Sequence, residues 1–128
     1  MSVITMTTDF GWADGYVGAM KGVILGIEPT ATVVDISHDI TPQDIQEAAF
    51  VLYTIYRYFP AGTVHVVVVD PGVGSERRAI AVGTGRAYFV APDNGVLSYV
   101  VAGEEVEMAV HLTEPRYWRP EVSRTFHG

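Results

Sequence analysis

The stretch Val64–Arg78, VHVVVVDPGVGSERR, joins an almost entirely apolar run to an abrupt polar end that contains glycines. A run without regular alternation of apolar and polar residues is typical of a central strand covered on both faces, and valine is favoured in such strands. Asp70 then follows at the carboxyl end of the strand. Because ligands of open α/β sheets bind where strands give way to loops, we expect a polar site beside Asp70.

The chain before this strand alternates between strand and helix patterns. Residues 3–7 and 32–36 have the composition of strands, and the apolar residues of 17–27 recur at helical spacing. A second helix is predicted from Thr41 as its N-cap to the residues just before Pro60. This order implies parallel strands joined by right-handed crossovers. We predict an α/β fold, a three-layer α/β/α sandwich around a mostly parallel central sheet.

The residues after the glycine loop are predicted to add further strands to the sheet. Residues 79–83 and 88–91 are predicted to form an antiparallel hairpin around a Thr-Gly-Arg turn. A short helix over 96–101 and a strand over 106–112 follow, and residues 113–128 have no regular pattern. No repeat, low-complexity segment or linker divides the chain.

Three aspartates fall at or near the ends of the predicted strands: Asp9, Asp35 and Asp70. Parallel strands present their carboxyl ends at one edge of a sheet, so these side chains are expected near that edge. Carboxylates gathered from distant parts of a sequence repel one another and usually hold something. Aspartate also commonly ends strands and caps helices, and for each residue alone both interpretations remain open.

Composition excludes several classes of function. With 128 residues the chain is about one domain long, and it contains no cysteine, which excludes disulfides, thiolate nucleophiles and cysteine-based zinc sites. A net charge of -7 argues against nucleic acid as a partner. No apolar run approaches the ~20 residues of a membrane span, and no basic leader precedes the first strand. We expect a protein of the cytoplasm without membrane contact.

Local motifs alone do not identify a reaction. The glycine loop within 70–78 could form an anion-binding nest, but it matches neither the P-loop nor the dinucleotide fingerprint. His65 is expected in the core, whereas His38 and His111 lack the spacing partners of a metal site. Trp12 could stack on a purine or a sulfonium, or simply pack at an interface. The pattern therefore indicates a small-molecule site and no more.

Several longer blocks are recognisable as a family pattern. They are TTDFGWADGYVGAMKGVIL at 7–25, VVDISHDITPQDIQEAAFVL at 33–52, FPAGTVHVVVVDPGVGSERR at 59–78, APDNGVLSYV at 91–100 and SRTFHG at 123–128. Together they closely resemble the S-adenosyl-L-methionine (SAM) hydroxide adenosyltransferases, or SAM hydrolases, which are related to fluorinase and chlorinase enzymes. The resemblance runs from the first strand to the last residue.

The resemblance implies displacement at the ribose C5′ of SAM by water or hydroxide, with release of adenosine and L-methionine. It assigns activation of the nucleophile to a triad that matches Asp70, Arg77 and His127 here. The leaving group is a neutral thioether that needs no general acid, so the triad has to position and deprotonate a water molecule. Because this chemistry needs no metal and no cofactor, we expect neither, with SAM as substrate.

The resemblance also implies the substrate contacts. Asp9 matches an aspartate that binds the ribose hydroxyls, Asp14 a contact to the methionine end, and Phe126 a wall of the pocket. Asp70 stands where the halogenating relatives have a tyrosine, and Gly128 where they have a serine that helps to hold halide. A carboxylate beside a bound anion is repulsive, so hydroxide is favoured over halide as the nucleophile.

Members of this family are described as an α/β domain followed by a smaller β-barrel domain, in trimers whose sites lie between subunits. From this resemblance we expect residues 1–128 to correspond to the amino-terminal domain alone, ending within the TFHG block and without the β-barrel. We therefore expect a site completed by a second domain, weak SAM binding by this chain alone, and a homotrimer in the full-length form. A non-catalytic nucleoside-binding or assembly fragment, and a halide-using relative, are the alternatives.

Overall fold

A computed structural model of the chain describes residues 2–72 and 78–113. In these ranges strands and α-helices follow in the order β1 (Val3–Thr8), α1 (Tyr16–Ile27), β2 (Thr32–Ser37), α2 (Ile45–Ile55), β3 (Val64–Val68), β4 (Ala79–Thr84), β5 (Tyr88–Pro92), α3 (Ser98–Gly103) and β6 (Val106–His111). A 3-10 turn, Tyr56–Tyr58, extends α2. None of the described helices has the length and apolarity that a membrane crossing requires.

The strands form one mixed sheet in the order β2-β1-β3-β5-β4-β6. Strands β2, β1, β3 and β5 are mutually parallel, whereas β4 pairs antiparallel with both β5 and β6. The predicted hairpin is confirmed, but its second strand lies on the inside, next to β3. As a result, the loops after four parallel strands open on one edge of the sheet.

Helices cover both faces of the sheet, which confirms the three-layer prediction. The chain steps from β1 to β2 in one direction and from β2 to β3 in the other, so right-handed crossovers place α1 and α2 on opposite faces. On one face, the Lys21 ammonium of α1 donates a hydrogen bond to the Asp35 carboxylate of β2. On the other face α3 packs beside α2, and the Tyr56 ring contacts Phe89.

The main hydrophobic core lies between the sheet and the face formed by α2 and α3. It is built from the apolar side of α2 and the 3-10 turn after it, from residues of the sheet and the segments next to its strands, and from α3 with the turn before it: Ile40, Ala48, Ala49, Leu52, Tyr56, Val67, Val69, Val82, Ala87, Phe89, Ala91, Val96, Leu97 and Val100. The opposite face of β3 is half-buried in the described residues. The sequence predicted that both faces of β3 are buried, and among the described residues one face is fully buried.

Helix α2 begins later than the sequence predicts. Its N-cap is Asp44, whose Oδ1 accepts the Glu47 N–H at 2.9 Å. Thr41 instead donates its backbone N–H to the Glu47 carboxylate at 2.8 Å. The prediction of Thr41 as N-cap is wrong because Gln43 adopts a left-handed backbone, φ 64°, which separates the Thr41-Pro42 pair from the helix.

His65 is a core residue, as predicted. Its side chain is 0% exposed, stacks on Phe89 with ring centroids 5.2 Å apart, and meets the edges of Tyr56 and Phe59. Nδ1 lies 2.7 Å from Thr5 Oγ1, whereas Nε2 is buried without a hydrogen-bond partner among the described residues. Burial lowers the pKa of His65 to about 4, so the ring is neutral at pH 7.

This burial predicts a loss of stability in acid. The pKa of His65 is 6.5 in the unfolded chain and about 4 in the folded chain. Between these two pH values the unfolded chain binds a proton at His65 and the folded chain does not. The free energy of unfolding therefore falls across this window, by up to about 3 kcal/mol at its lower end. Urea titrations from pH 4 to pH 7.5 on wild type and His65→Leu measure the effect.

We expect the slope of stability against pH to be shallower in His65→Leu than in wild type. His111→Gln is the matched control, because His111 is exposed on β6 and its loss removes a histidine without touching the core. Equal slopes for wild type and His65→Leu would contradict the assignment of this acid sensitivity to His65.

Candidate active site at the carboxyl edge of the sheet

The carboxyl ends of the parallel strands collect the polar residues singled out in the sequence. The loop after β1 carries Asp9, Asp35 lies in β2, and Asp70 follows β3. The loop after β5 joins this edge, since Asn94 donates its side-chain N–H to the Val69 carbonyl at 2.9 Å. The predicted placement of the three aspartates along one edge agrees with the sheet order.

Asp9 links the first two of these loops. Its Oδ2 accepts the backbone N–H of Gln43 at 2.7 Å, and Oδ1 accepts no hydrogen bond from any described residue. Gln43 is exposed, and a positive φ is unusual for a residue with a side chain. Among the described residues Asp9 is therefore held through Oδ2 alone, and its Oδ1 accepts from none of them.

The remaining predicted site residues divide into two that the structure describes and three that it does not. Asp70 is half-buried, and its Oδ1 accepts the Gly72 N–H at 3.1 Å across the turn after β3. Asp14 is exposed and accepts the Tyr16 N–H at 3.2 Å, at the start of α1. Arg77, Phe126 and His127 lie outside the described residues. The triad and the contact by Phe126 stay predictions.

His38 is a buried residue at this edge, and from the sequence it was weighed only as a metal ligand. His38 is 1% exposed, its Nδ1 lies 2.7 Å from Thr8 Oγ1, and its Nε2 lies 2.7 Å from Asp35 Oδ1. Lys21 donates from its ammonium to Asp35 Oδ2 at 2.5 Å. The Asp35-x-x-His38 spacing at the end of a strand was the available signal for this network.

The hydrogen bonds fix the orientation of the His38 ring. Burial raises the pKa of Asp35, but hydrogen bonds from His38 and Lys21, with the charge of Lys21, outweigh burial and hold that pKa below its usual value. The carboxylate therefore accepts from Nε2–H, and Nδ1 lies within hydrogen-bond distance of the Thr8 hydroxyl. Thr8 Oγ1 in turn accepts the Phe10 N–H at 3.2 Å.

Aromatic side chains stand beside this network. The Trp12 ring is 59% exposed, meets His38 edge-on at 4.7 Å between ring centroids, and has Lys21 Nζ 5.6 Å from its centre. Phe10 and Tyr16 have ring centroids 5.8 Å apart. Exposed aromatic faces next to carboxylates can hold a flat or cationic ligand.

Metal ligation finds no support at this edge. Across residues 2–72 and 78–113, no group of three or more histidine, aspartate or glutamate side chains is placed to hold a metal ion. A site built on these residues can supply carboxylates, hydrogen bonds and aromatic surfaces. The absence of a metal or cofactor from the reaction stays a prediction.

Residues 4–128 match the profile of the SAM hydroxide adenosyltransferase N-terminal domain. The chain belongs to this family. It is 47% identical over 133 residues to a protein of Methanocaldococcus jannaschii named (R)-S-adenosyl-L-methionine hydrolase, with 100% of this chain and 49% of that protein covered. A fluorinase of Actinoplanes sp. is 28% identical over 149 residues, with 98% of this chain and 50% of the fluorinase covered.

A solved structure agrees with the fold of this family member. The uncharacterized conserved protein from Thermotoga maritima superposes with a TM-score of 0.92 at 42% identity, over 97% of this chain and 48% of that one. The mixed six-stranded sheet with flanking helices is thus shared with a close relative. The chain spans about half the length of the curated relatives it matches.

Because the backbone at Gln43 is left-handed, replacing this residue with glycine is predicted to stabilise the protein. A side chain at φ 64° costs roughly 1–2 kcal/mol that glycine avoids, partly offset by the greater freedom of glycine in the unfolded chain. We expect Gln43→Gly to raise the free energy of unfolding by up to about 1 kcal/mol.

The matched control is Gln46→Gly, in which an exposed glutamine inside α2 is replaced. Gln46 lies in the first turn of α2, where glycine lowers stability by up to about 1 kcal/mol relative to good helix formers. Urea denaturation of both variants checks the prediction. A loss in Gln43→Gly as large as that in Gln46→Gly would show that the backbone at Gln43 is not left-handed in solution.

Proposed function

We propose that this chain forms one part of an enzyme that hydrolyses SAM to adenosine and L-methionine. The observation that carries the proposal is the shared carboxyl edge, which holds Asp9 and Asp70 in a chain matching the SAM hydroxide adenosyltransferase N-terminal domain over residues 4–128. The name of the Methanocaldococcus relative supports the same reaction.

Asp9 is the proposed anchor for the ribose. A carboxylate can accept two hydrogen bonds from a diol, and Asp9 Oδ1 accepts none from the described residues. Asp14 is proposed to contact the methionine end and Phe126 to line the pocket. These contacts hold C5′ and the sulfonium in place for the nucleophile.

Asp70, Arg77 and His127 are proposed to act on the attacking water. The oxygen forms a bond to C5′ while the C5′–S bond breaks and its electron pair returns to sulfur, which leaves as a neutral thioether. Free water has a pKa of ~15.7, so the proton has to be removed during attack. Asp70 and His127 orient the water and share its proton, and Arg77 stabilises the developing hydroxide.

Halide as nucleophile is the second candidate, and it is less well supported. This chain is 47% identical to the hydrolase and 28% identical to the fluorinase. Asp70 would also repel a halide placed beside it. A non-catalytic nucleoside-binding role is a further outcome of the experiment below.

Assembly and location belong to the same proposal. The family resemblance supports a homotrimer in the full-length form, with a site shared between neighbours, and the cysteine-free composition fits a reducing cytoplasm. No cofactor or metal is proposed, because a sulfonium leaving group needs no electrophilic assistance.

The test is to incubate SAM with this chain and with a chimera in which it replaces the matched half of the Methanocaldococcus relative. Adenosine and methionine are measured by chromatography. We expect product from the chimera, little from the chain alone, and a loss of at least about 100-fold in turnover for Asp70→Ala in the chimera, the lower end of what a positioned general base contributes.

The unmodified relative and the exposed variant Glu105→Gln, at the opposite edge of the sheet, serve as controls. A chimera that folds and yields no adenosine, while the relative does, would overturn the hydrolase proposal. Turnover in chloride buffer that yields 5′-chloro-5′-deoxyadenosine in place of adenosine would support the halide alternative.

A further inference from the structure

We propose that Thr8 and His38 are positioning residues for Asp9, and that they set how well the site recognises a ribose diol. The inference rests on the proposed role of Asp9 in ribose binding. Neither side chain is an expected ligand contact, since both are buried. They act through the backbone of the loop that carries Asp9.

Three hydrogen bonds hold that loop on either side of Asp9. Thr8 Oγ1 is hydrogen-bonded to His38 Nδ1 at 2.7 Å, and the Phe10 N–H donates to Thr8 Oγ1 at 3.2 Å. The Gly11 N–H donates to the His38 carbonyl at 2.7 Å. His38 therefore holds the loop before Asp9 with its ring and after Asp9 with its backbone.

His38 is in turn fixed at its far side. Its Nε2–H donates to Asp35, and the second oxygen of Asp35 accepts from Lys21 of α1. Because an ionised carboxylate can only accept, Nε2 of His38 is the donor in its hydrogen bond to Asp35. A network of this kind, with each member satisfied, restricts the loop to one arrangement.

Diol recognition is sensitive to this arrangement. The Gln43 N–H already donates to Oδ2 of Asp9 at 2.7 Å, so the lone pairs that remain on the carboxylate have to face the two hydroxyls in the correct geometry. Binding constellations work when the supporting residues hold them within ~0.5 Å of the productive position. Loosening the Asp9 loop therefore weakens recognition of the diol more than recognition of the base.

The experiment compares the binding of adenosine and 2′,3′-dideoxyadenosine to the chimera with the Methanocaldococcus relative, in which the site is complete, by isothermal titration calorimetry. The preference is the ratio of the two dissociation constants, which isolates the diol. Thr8→Val removes the hydroxyl at nearly constant shape, and we expect it to lower the preference about fivefold, the effect of one lost hydrogen bond. Thr8→Ser, which restores the hydroxyl, should recover most of it.

The matched control is Thr54→Val on α2, where the lost hydrogen bond is to the Val51 carbonyl away from this edge. It should leave the preference unchanged. Should Thr8→Val fail to fold, Asp35→Asn tests the same network from its half-exposed end, and we expect a several-fold loss there too.

A double variant separates positioning from general destabilisation. If Thr8 acts through Asp9, then Thr8→Val has no further effect on the preference once Asp9 is replaced by alanine. A further loss in that background would overturn the inference, as would an unchanged preference in Thr8→Val. Wild type without any preference for adenosine would contradict the proposed role of Asp9 itself, and the inference with it.

Discussion

The parallel pairing of β1 with both β2 and β3 is the constraint on which the rest of the structure depends. Registers Ile4 to Val33 on one side and Ile4 to Val64 on the other align the three strands so that they end together. Right-handed crossovers then require α1 and α2 to lie on opposite faces. The three loops that follow the strands share one edge as a consequence.

A polar network at that edge is the second consequence. Placing His38 beside Asp35 removes the His38 ring from water, which is costly unless each of its polar groups finds a partner. Each does so here, with Thr8 on one side of the ring and Lys21 beyond the carboxylate. The network therefore ties β1, β2 and α1 together at the place where Asp9 leaves the sheet.

Much of this could be predicted because it depends on local pattern. The apolar run ending in Asp70 indicated a central strand, and alternation of strand and helix patterns indicated parallel pairing. The order within the hairpin could not be predicted, because pairing of β5 with β3 is a long-range choice that leaves no local signal. The N-cap at Asp44 was missed because the spacing of apolar residues carries no information about the left-handed backbone at Gln43, which delays the start of the helix.

The site was predicted in part for a related reason. Asp9 and Asp70 follow their strands directly, so topology alone places them. The partnership of His38 with Thr8 joins residues 30 positions apart through side chains, and only the paired strands bring them together. The core position of His65 followed from the strand itself, whereas the three aromatic rings that surround it come from other segments, and within the described part of the chain they leave Nε2 without a hydrogen-bond partner.

The most direct test of the account is to locate a bound nucleoside by amide chemical-shift changes on titration of this chain with adenosine. The account predicts changes at Gly11 and Gly72, in the loops after β1 and β3, with Gly62 and Gly85 at the opposite edge unaffected. Changes centred on Gly62 and Gly85, with Gly11 and Gly72 unmoved, would contradict a nucleoside site at the carboxyl edge.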